Sequence, residues 1–467
     1  MIMINKNEIK LFLLSVGLIA ASCNATKGKN DAVPERPNIL FIFADDWGYG
    51  DLGCYGNTEV QTPNLDKLAS QGTRYTQFHV TSGVCSPSRS SVITGHFPAR
   101  HLIHGHFAGN AVNARRGMPN WLNEKLPVYL PRLMQEAGYT TAHFGKWHLG
   151  GGGEPNGDLT APEPKVYGYD ETRVWNGNGP TWKGDQLWPT TRYMDDDTLW
   201  AQSSSRIAVD ATIDFLKRHK EEKPMFVNLW LKDPHAPLWP SDEQRKPFKD
   251  KGLVPDKETY YSVLADADFH IGRLMAALTE MGLDENTLVI FSSDNGPANY
   301  PPARIAGSTA GLKGRKTEVF EGGVDVPFIV RWPGHVTAGK IDHRSVLSTV
   351  DLLPTFCELA NQKLPVNYQP DGESFTPVFQ NLPFIRTKPL FWEWKFSTKN
   401  PNLPNSWVYL AVRDGDWKLL ADEEHKRIEL YNIADDQFEK NNMASENSEK
   451  VNELLSKWDY WKSGLPK

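Results

Sequence analysis

Cysteine is scarce, with four residues in a chain of 467. Cys23 closes an apolar leader, and only Cys54, Cys85 and Cys357 stand in the body of the chain. Three thiols cannot make a disulfide framework; at most one pair forms and one thiol is left over. No CxxC or Cys/His zinc spacing occurs, which excludes a structural zinc ribbon or finger. Basic tracts and arginine stripes are also missing, and the formal net charge is −6, so nucleic acid is excluded as a partner. Beyond the leader, no apolar run is long enough to span a bilayer. No repeat of 20 to 50 residues occurs, which excludes a solenoid or propeller.

What is abundant is Trp, at 16, together with 33 Pro and 37 Gly. That composition fits a loop-rich enzyme surface and opposes a coiled coil or fibre. At the N-terminus, Lys6 and Lys10 precede 11-LFLLSVGLIAA-21, and the run ends in 20-AASC-23. This reads as an export signal over residues 1–22. Cys23 is then the lipid-bearing first residue of an outer-membrane or periplasmic lipoprotein of a Gram-negative bacterium. The alternative is simple cleavage nearby, with an incidental cysteine. Residues 23–37 are polar and read as a tether.

From residue 38 the chain alternates strand and helix. The stretch 38-NILFIFADD-46 is a continuous apolar run, as expected for a parallel strand buried on both faces. The segment 62-TPNLDKLASQG-72 carries a Thr cap, Pro at the first helical position and Gly past the end. Further strands are expected in 139–150, at 225–231, 287–296 and 326–334, with helices at 130–138, 198–219 and 260–282. This order predicts an α/β fold: a large, mostly parallel sheet sandwiched by helices over residues 38–380. Residues 381–467 change rhythm. Short strands around a turn at Asp414-Gly415, then an amphipathic helix at 446–464, predict a smaller α+β domain. The glycine-rich stretches at 150–153 and 176–180 are expected to be a surface loop or lid.

Polar residues gather at strand ends. Asp45 and Asp46 follow one strand, Asp294 and Asn295 a second, Lys146 and His148 a third, and His235 a fourth. Ligands bind outside the carboxyl ends of the strands of an open parallel sheet, so these groups point into one crevice. Each alone reads equally as a solvated turn; their convergence on one edge favours a site. The carboxylates and the amide offer only oxygen, which suits a hard cation, Ca²⁺ or Mg²⁺. Arg89, Lys146, Lys316, His148 and His235 add positive charge. A hard dication among cationic side chains is built for an oxyanion ester, phosphate or sulfate. Within 83-GVCSPSRSSVITG-95, Ser86 is expected to cap a helix starting at Pro87, leaving residue 85 just outside a helix N-terminus, where negative charge is favoured. A free thiolate there would be a soft group beside a hard ion, a poor match.

With these motifs in view, the chain resembles the formylglycine-dependent sulfatases of the alkaline-phosphatase-like superfamily. Cys85, Pro87 and Arg89 meet the pattern C-x-P-x-R, followed by Thr94-Gly95. The likeness extends to 38-NILFIFADDWGYGDLGCYG-56, 145-GKWHLG-150, 233-DPHAPL-238, 292-SSDNG-296, 314-GRKTEVFEGGVDVPFIVRWPG-334 and 413-RDGDWKLL-420. It implies that a maturation enzyme oxidises Cys85 to 3-oxoalanine (Cα-formylglycine). It implies that Asp45, Asp46, Asp294, Asn295 and the modified residue 85 bind one Ca²⁺. Arg89 and Lys146 would hold the hydrated aldehyde, His148 would take a proton from it, and His235 and Lys316 would grip sulfate and assist the leaving oxygen. One departure is Asp325, where many members carry arginine. The expected activity is sulfate-ester hydrolysis on a polysaccharide or its oligosaccharides. A phosphate or phosphonate monoester hydrolase on the same fold, and a glycan-binding lipoprotein with a degenerate site, are the alternatives. Trp175, Trp182, Trp188, Trp239, Trp392, Trp394 and Trp407 are expected in loops, where aromatic faces stack on sugar rings.

Overall fold

The computed structural model describes residues 36–150, 161–175, 182–183, 186–187, 202–395 and 405–466, with only the backbone at 182–183 and 186–187. The leader, nearly all of the tether and most of the glycine-rich lid region lie outside the described residues. So do Cys23 and Trp188, and the side chain of Trp182.

Eight strands form the main sheet: β1 Asn38–Ala44, β2 Thr73–Tyr75, β3 Thr140–Lys146, β4 Glu171–Trp175, β5 Met225–Trp230, β6 Thr287–Ser293, β7 Phe328–Arg331 and β8 Lys340–Asp342. Their order across the sheet is β8-β2-β7-β6-β1-β5-β3-β4. Every residue of β1 is buried. Ile39, Phe41 and Phe43 pack into one apolar layer, and Leu40, Ile42 and Ala44 into the other. That is why β1 reads as an unbroken apolar run: side chains alternate between faces, and both faces are dry.

The run from β6 through β1 and β5 to β3 and β4 is parallel throughout. β7 is the exception, antiparallel to both β6 and β2. Its register pairs Phe328 with Ser292 and with Tyr75. The start of β7 therefore lies at the carboxyl end of β6, and so does the end of β2. The segment before β7, which carries Lys316, and the segment after β2, which leads to Cys85, both emerge at the edge where the central strands deliver their polar residues.

Helices α1 (Pro63–Ser70), α2 (Cys85–Thr94), α3 (Leu130–Glu136), α4 (Ser204–His219), α5 (Pro255–Glu280) and α6 (Leu352–Leu359) cover the two faces. Two expected caps are replaced. Thr62 stands at the N-cap of α1 but makes no capping bond there; it donates to Asp66 Oδ1 at 3.2 Å. The free amides of Asn64 and Leu65 are satisfied instead by the Asp268 carboxylate of α5, at 3.1 and 2.8 Å. α2 begins at Cys85 rather than Pro87, and Ser86 Oγ accepts from Phe107 N at 3.1 Å. Both differences are tertiary: a partner distant in sequence supplies or takes the hydrogen bond.

The C-terminal strands Leu390–Glu393 (β9), Leu410–Asp414 (β10), Trp417–Ala421 (β11) and Ile428–Asn432 (β12) form an antiparallel sheet in chain order, followed by α7 (Ser448–Ser463). The expected turn holds Gly415 at φ 56°, the left-handed region that glycine tolerates. This sheet shares the main core: Phe391 stacks on Trp461, and Phe97 packs edge-on against both. Trp392 and Trp394 are 2 % exposed and Trp175 is 1 % exposed, so these three are core residues and not sugar platforms. Trp407 is half-buried under the Arg427 guanidinium. No helix among the described residues is long and apolar enough to cross a membrane.

A buried charge cluster joins the two sheets. Lys418 reaches Glu321 at 2.6 Å and Glu439 at 3.0 Å, and Glu439 accepts from the Glu321 amide at 2.7 Å. His79 Nε2 lies 2.8 Å from both Glu321 and Arg413. Asp325, the departure from the family pattern, accepts from Phe78 N at 3.2 Å; burial and the neighbouring Glu321 push its carboxyl well up. Removing one partner of a buried ion pair strands the other. Lys418→Met is therefore expected to cost about 3–5 kcal/mol in urea unfolding. Adding Glu321→Gln should recover much of that loss; a double variant as unstable as the sum of the two singles would show that the pair is not the cause.

Candidate active site

Four adjacent strands, β6, β1, β5 and β3, deliver Asp294-Asn295, Asp45-Asp46, His235 and Lys146 with His148 to one edge of the sheet. Lys316 arrives on the segment before β7, and Cys85 and Arg89 on the first turns of α2. All ten candidate residues gather at this edge. None is more than 7 % exposed.

The contacts are dense. Arg89 forks onto Asp294 Oδ2, with Nε at 2.8 Å and Nη2 at 2.7 Å, and donates from Nη1 to the Lys146 carbonyl at 3.0 Å. Its guanidinium lies 5.1 Å from the Trp230 ring centre and 5.6 Å from that of Phe43. Lys146 pairs with Asp45 Oδ2, and Lys316 with Asp46 Oδ1. Asn295 Nδ2 donates to the same Asp46 oxygen at 2.7 Å. Cys85 Sγ is 3.2 Å from His148 Nδ1, and His148 Nε2 is 3.3 Å from the Phe107 carbonyl. His235 Nδ1 is 2.6 Å from the Ala236 carbonyl, and its Nε2 is 4.0 Å from Asp46 Oδ2. Asp46, His148 and Thr317 are held at φ 67°, 51° and 73°, where non-glycine residues are uncommon and which tertiary contacts must impose.

Electrostatics follow from burial and pairing. Burial opposes ionisation of Asp45, but Lys146, Lys316 and Arg89 hold it well below the usual carboxylate range. Asp294 is pushed up to about 7 by burial and by the adjacent Asp45. Burial, then Lys146 for His148 and Lys316 for His235, hold both imidazoles neutral. Burial also raises the Cys85 thiol, which disfavours the thiolate. Three carboxylate or amide oxygens, Asp45 Oδ1, Asp46 Oδ2 and Asn295 Oδ1, are buried with no hydrogen-bond partner. Buried orphan acceptors are costly, and a coordinated cation satisfies them. Ligand atoms of Asp45, Cys85 and Asp294 lie within 4.8 Å of one another, as do those of Asp45, Asp46 and His235. The donor set fits a metal.

The comparisons with known proteins accord with this geometry. A family model described as Sulfatase matches residues 37–362. The chain belongs to the sulfatase family. A second model, N-sulphoglucosamine sulphohydrolase C-terminal, matches residues 315–458. N-acetylgalactosamine-6-O-sulfatase of Bacteroides thetaiotaomicron is 29 % identical across 96 % of this chain and 98 % of its own length. Human arylsulfatase A is 34 % identical over 74 % of this chain and 68 % of its own. Among solved structures, Ps i-CgsB in complex with k-i-k-neocarrahexaose superposes with a TM-score of 0.77 at 26 % identity, covering 91 % of this chain and 93 % of that one. A phosphonate monoester hydrolase of Agrobacterium radiobacter shares the fold at a TM-score of 0.63 and 20 % identity, covering 91 % and 96 % of the two chains. The chain is thus a sulfuric ester hydrolase of the sulfatase family.

Several residues that position this sulfatase site had no assigned role in the sequence. Asp233 accepts from Ser204 Oγ at 2.7 Å and Ser205 Oγ at 2.8 Å, and its carbonyl accepts from Trp47 Nε1 at 2.9 Å. Lys232 donates to the His235 carbonyl at 2.7 Å. Together they fix the His235 loop. Lys232 and Asp233 adjoin the 233-DPHAPL-238 motif, but no period or spacing marks Ser204 and Ser205 as their partners.

Cys85 and Cys357 are 2 % exposed, and Cys54 is half-buried and unpaired like the others. In protein made without cysteine oxidation, iodoacetamide is expected to leave Cys85 unlabelled in the native state and to label it on unfolding. Rapid native labelling of Cys85, read by peptide mass, would contradict the buried first turn of α2.

Proposed function

We propose that the enzyme hydrolyses sulfate esters of carbohydrates, using a formylglycine made from Cys85 and one Ca²⁺ held by Asp45, Asp46, Asp294, Asn295 and the modified residue. The observation that carries this reading is a raised, buried thiol set against orphan carboxylate and amide oxygens. A thiol nucleophile does not need such neighbours; a hydrated aldehyde and a hard ion do. When formed, the aldehyde hydrate supplies an oxygen nucleophile for sulfur, and Ca²⁺, when bound, polarises it and offsets charge on the sulfuryl oxygens.

The chain's own residues divide the remaining work. Cys85 Sγ stands in for a hydroxyl oxygen of the hydrate. Facing a carbonyl, His148 Nε2 carries the hydrogen and donates it to Phe107, so Nδ1 presents a lone pair to residue 85 and takes its proton. Arg89, locked between Asp294 and the Lys146 carbonyl, brings a fixed cation to residue 85. Lys316, kept charged by Asp46 against burial, faces the sulfuryl oxygens and the leaving oxygen together with His235. All ten residues of α2 are buried, so oxidation of Cys85 by the maturation enzyme precedes folding.

The carbohydrate assignment is supported by the relatives, one named for N-acetylgalactosamine 6-O-sulfate and matched nearly end to end, and by the neocarrahexaose complex. Exposed Trp239, four residues beyond His235, is the sugar-stacking candidate among the described aromatics expected for that role. N-acetylgalactosamine 6-sulfate is the first substrate to test. We also propose export as a lipoprotein anchored at Cys23, supported by the 11–21 apolar run; loss of palmitate labelling in Cys23→Ala checks it, and unchanged labelling opposes it.

Sulfate release from the 6-sulfate, with an aldehyde at residue 85 in the peptide mass, is the expected result. Full activity with an unmodified thiol, or turnover of aryl phosphate without aryl sulfate, overturns the reading. A sugar hydroxyl leaves poorly, whereas an acidic phenol leaves easily. A His235 that takes up a second proton at Nε2 when the anionic ester binds can pass it to the leaving oxygen, so His235→Ala is expected to slow the sugar sulfate by ~10²–10⁴-fold and an activated aryl sulfate far less.

A further inference from the structure

His235 poses a geometric problem. Its Nδ1 faces the Ala236 carbonyl at 2.6 Å. A carbonyl only accepts, so Nδ1 holds the hydrogen and the neutral ring presents a bare Nε2. The nearest carboxylate oxygen, Asp46 Oδ2, is 4.0 Å away, beyond hydrogen-bond reach. One hydroxyl meets Nε2: that of Tyr300, at 3.4 Å, with the two ring centres 6.4 Å apart.

Tyr300 is placed on purpose-built supports. It follows Asn299, whose Nδ2 donates to Thr317 Oγ1 at 2.8 Å, and Lys316 N donates to the Pro297 carbonyl at 3.1 Å. The 297–300 segment is therefore tied to the segment carrying Lys316, while the Tyr300 hydroxyl reaches the His235 loop. Burial holds the phenol protonated, with Lys316 close enough to oppose the shift. Tyr300 is also 37 % exposed, whereas every other residue of the site is 7 % exposed or less. It stands at the solvent side of the cluster, in contact with His235 and near Lys316.

We propose that Tyr300 is a positioning and specificity residue for the alcohol half of the ester: its hydroxyl orients His235 through Nε2, and its exposed ring lies against the leaving sugar. This rests on the carbohydrate-sulfatase reading above. The sulfate half is gripped by buried fixed charges that any sulfate ester would meet; the alcohol half meets an aromatic face and a neutral hydroxyl. Discrimination among esters then arises at Tyr300 and not at the metal ligands.

The test uses the matured full chain with two substrates, N-acetylgalactosamine 6-sulfate and an aryl sulfate with an acidic phenol. Tyr300→Phe keeps the ring and removes the hydroxyl. It is expected to lower kcat on the sugar sulfate about tenfold, the worth of one hydrogen bond, with KM nearly unchanged and the aryl sulfate little affected. Tyr300→Ala removes the ring as well and should raise KM for the sugar sulfate in addition. Equal losses on both substrates, or no loss in either variant, overturn the proposal. A parent enzyme that releases sulfate from the aryl ester but not from the sugar sulfate fails the carbohydrate reading instead. Calorimetric binding of the sugar sulfate to Cys85→Ala, weakened by Tyr300→Ala, then decides whether Tyr300 still contacts it; unweakened binding counts against the proposal.

Discussion

Three carboxylates, Asp45, Asp46 and Asp294, stand fully out of water at the ends of two neighbouring strands. Burying even one ionised carboxylate costs several kcal/mol unless charge and hydrogen bonds offset it. Much of the surrounding structure answers that requirement. Arg89 comes from α2, Lys146 from β3 and Lys316 from the segment before β7, each supplying one fixed cation to one acid. Three fixed cations balance three acids, yet Asp45 Oδ1, Asp46 Oδ2 and Asn295 Oδ1 still lack partners. A dication coordinated there would satisfy them and leave the centre net positive, the field that an anionic ester needs. Charge, packing and chemistry are in this way one constraint.

That constraint explains the topology. Parallel strands alone would bring the acids and histidines to the carboxyl edge. They would not bring Lys316. Antiparallel β7 does so, because its first residue pairs with Ser292 at the end of β6. The C-terminal sheet then braces the same segment: Lys418 and Arg413 neutralise Glu321, whose neighbours Gly322 and Gly323 pack on Gly296 so closely that a Cβ there would meet the Gly322 carbonyl at 2.0 Å. Gly296 adjoins the ligand Asn295. The small sheet thereby supports the catalytic one through a charge relay wholly shielded from solvent.

Much of this was legible in the sequence, for physical reasons. A strand buried on both faces must be apolar throughout, so β1, β5 and β6 announce themselves, and polar residues just beyond such runs mark the binding edge. The C-x-P-x-R spacing is carried by one helix and needs no tertiary information. What sequence did not reveal depended on distant partners. Asp268 capping α1, Phe107 occupying Ser86 and Ser204-Ser205 fixing Asp233 are contacts between elements that no local pattern encodes. Trp175, Trp392 and Trp394 were expected in loops and lie in the core, since an aromatic reads alike in either place. Tyr300 carries no motif; only the fold sets its hydroxyl against His235.

The central claim is that these oxygens are built for one hard dication. The same pocket offers a second grouping, Asp45, Asp46 and His235, whose imidazole would instead suit zinc. Calorimetric titration of chelator-treated protein separates the two. The account predicts one Ca²⁺ per chain, a rise in thermal midpoint on binding, loss of binding in Asp294→Ala, and retention in His235→Ala. Stoichiometric zinc bound in preference to Ca²⁺, and abolished by His235→Ala, would contradict it.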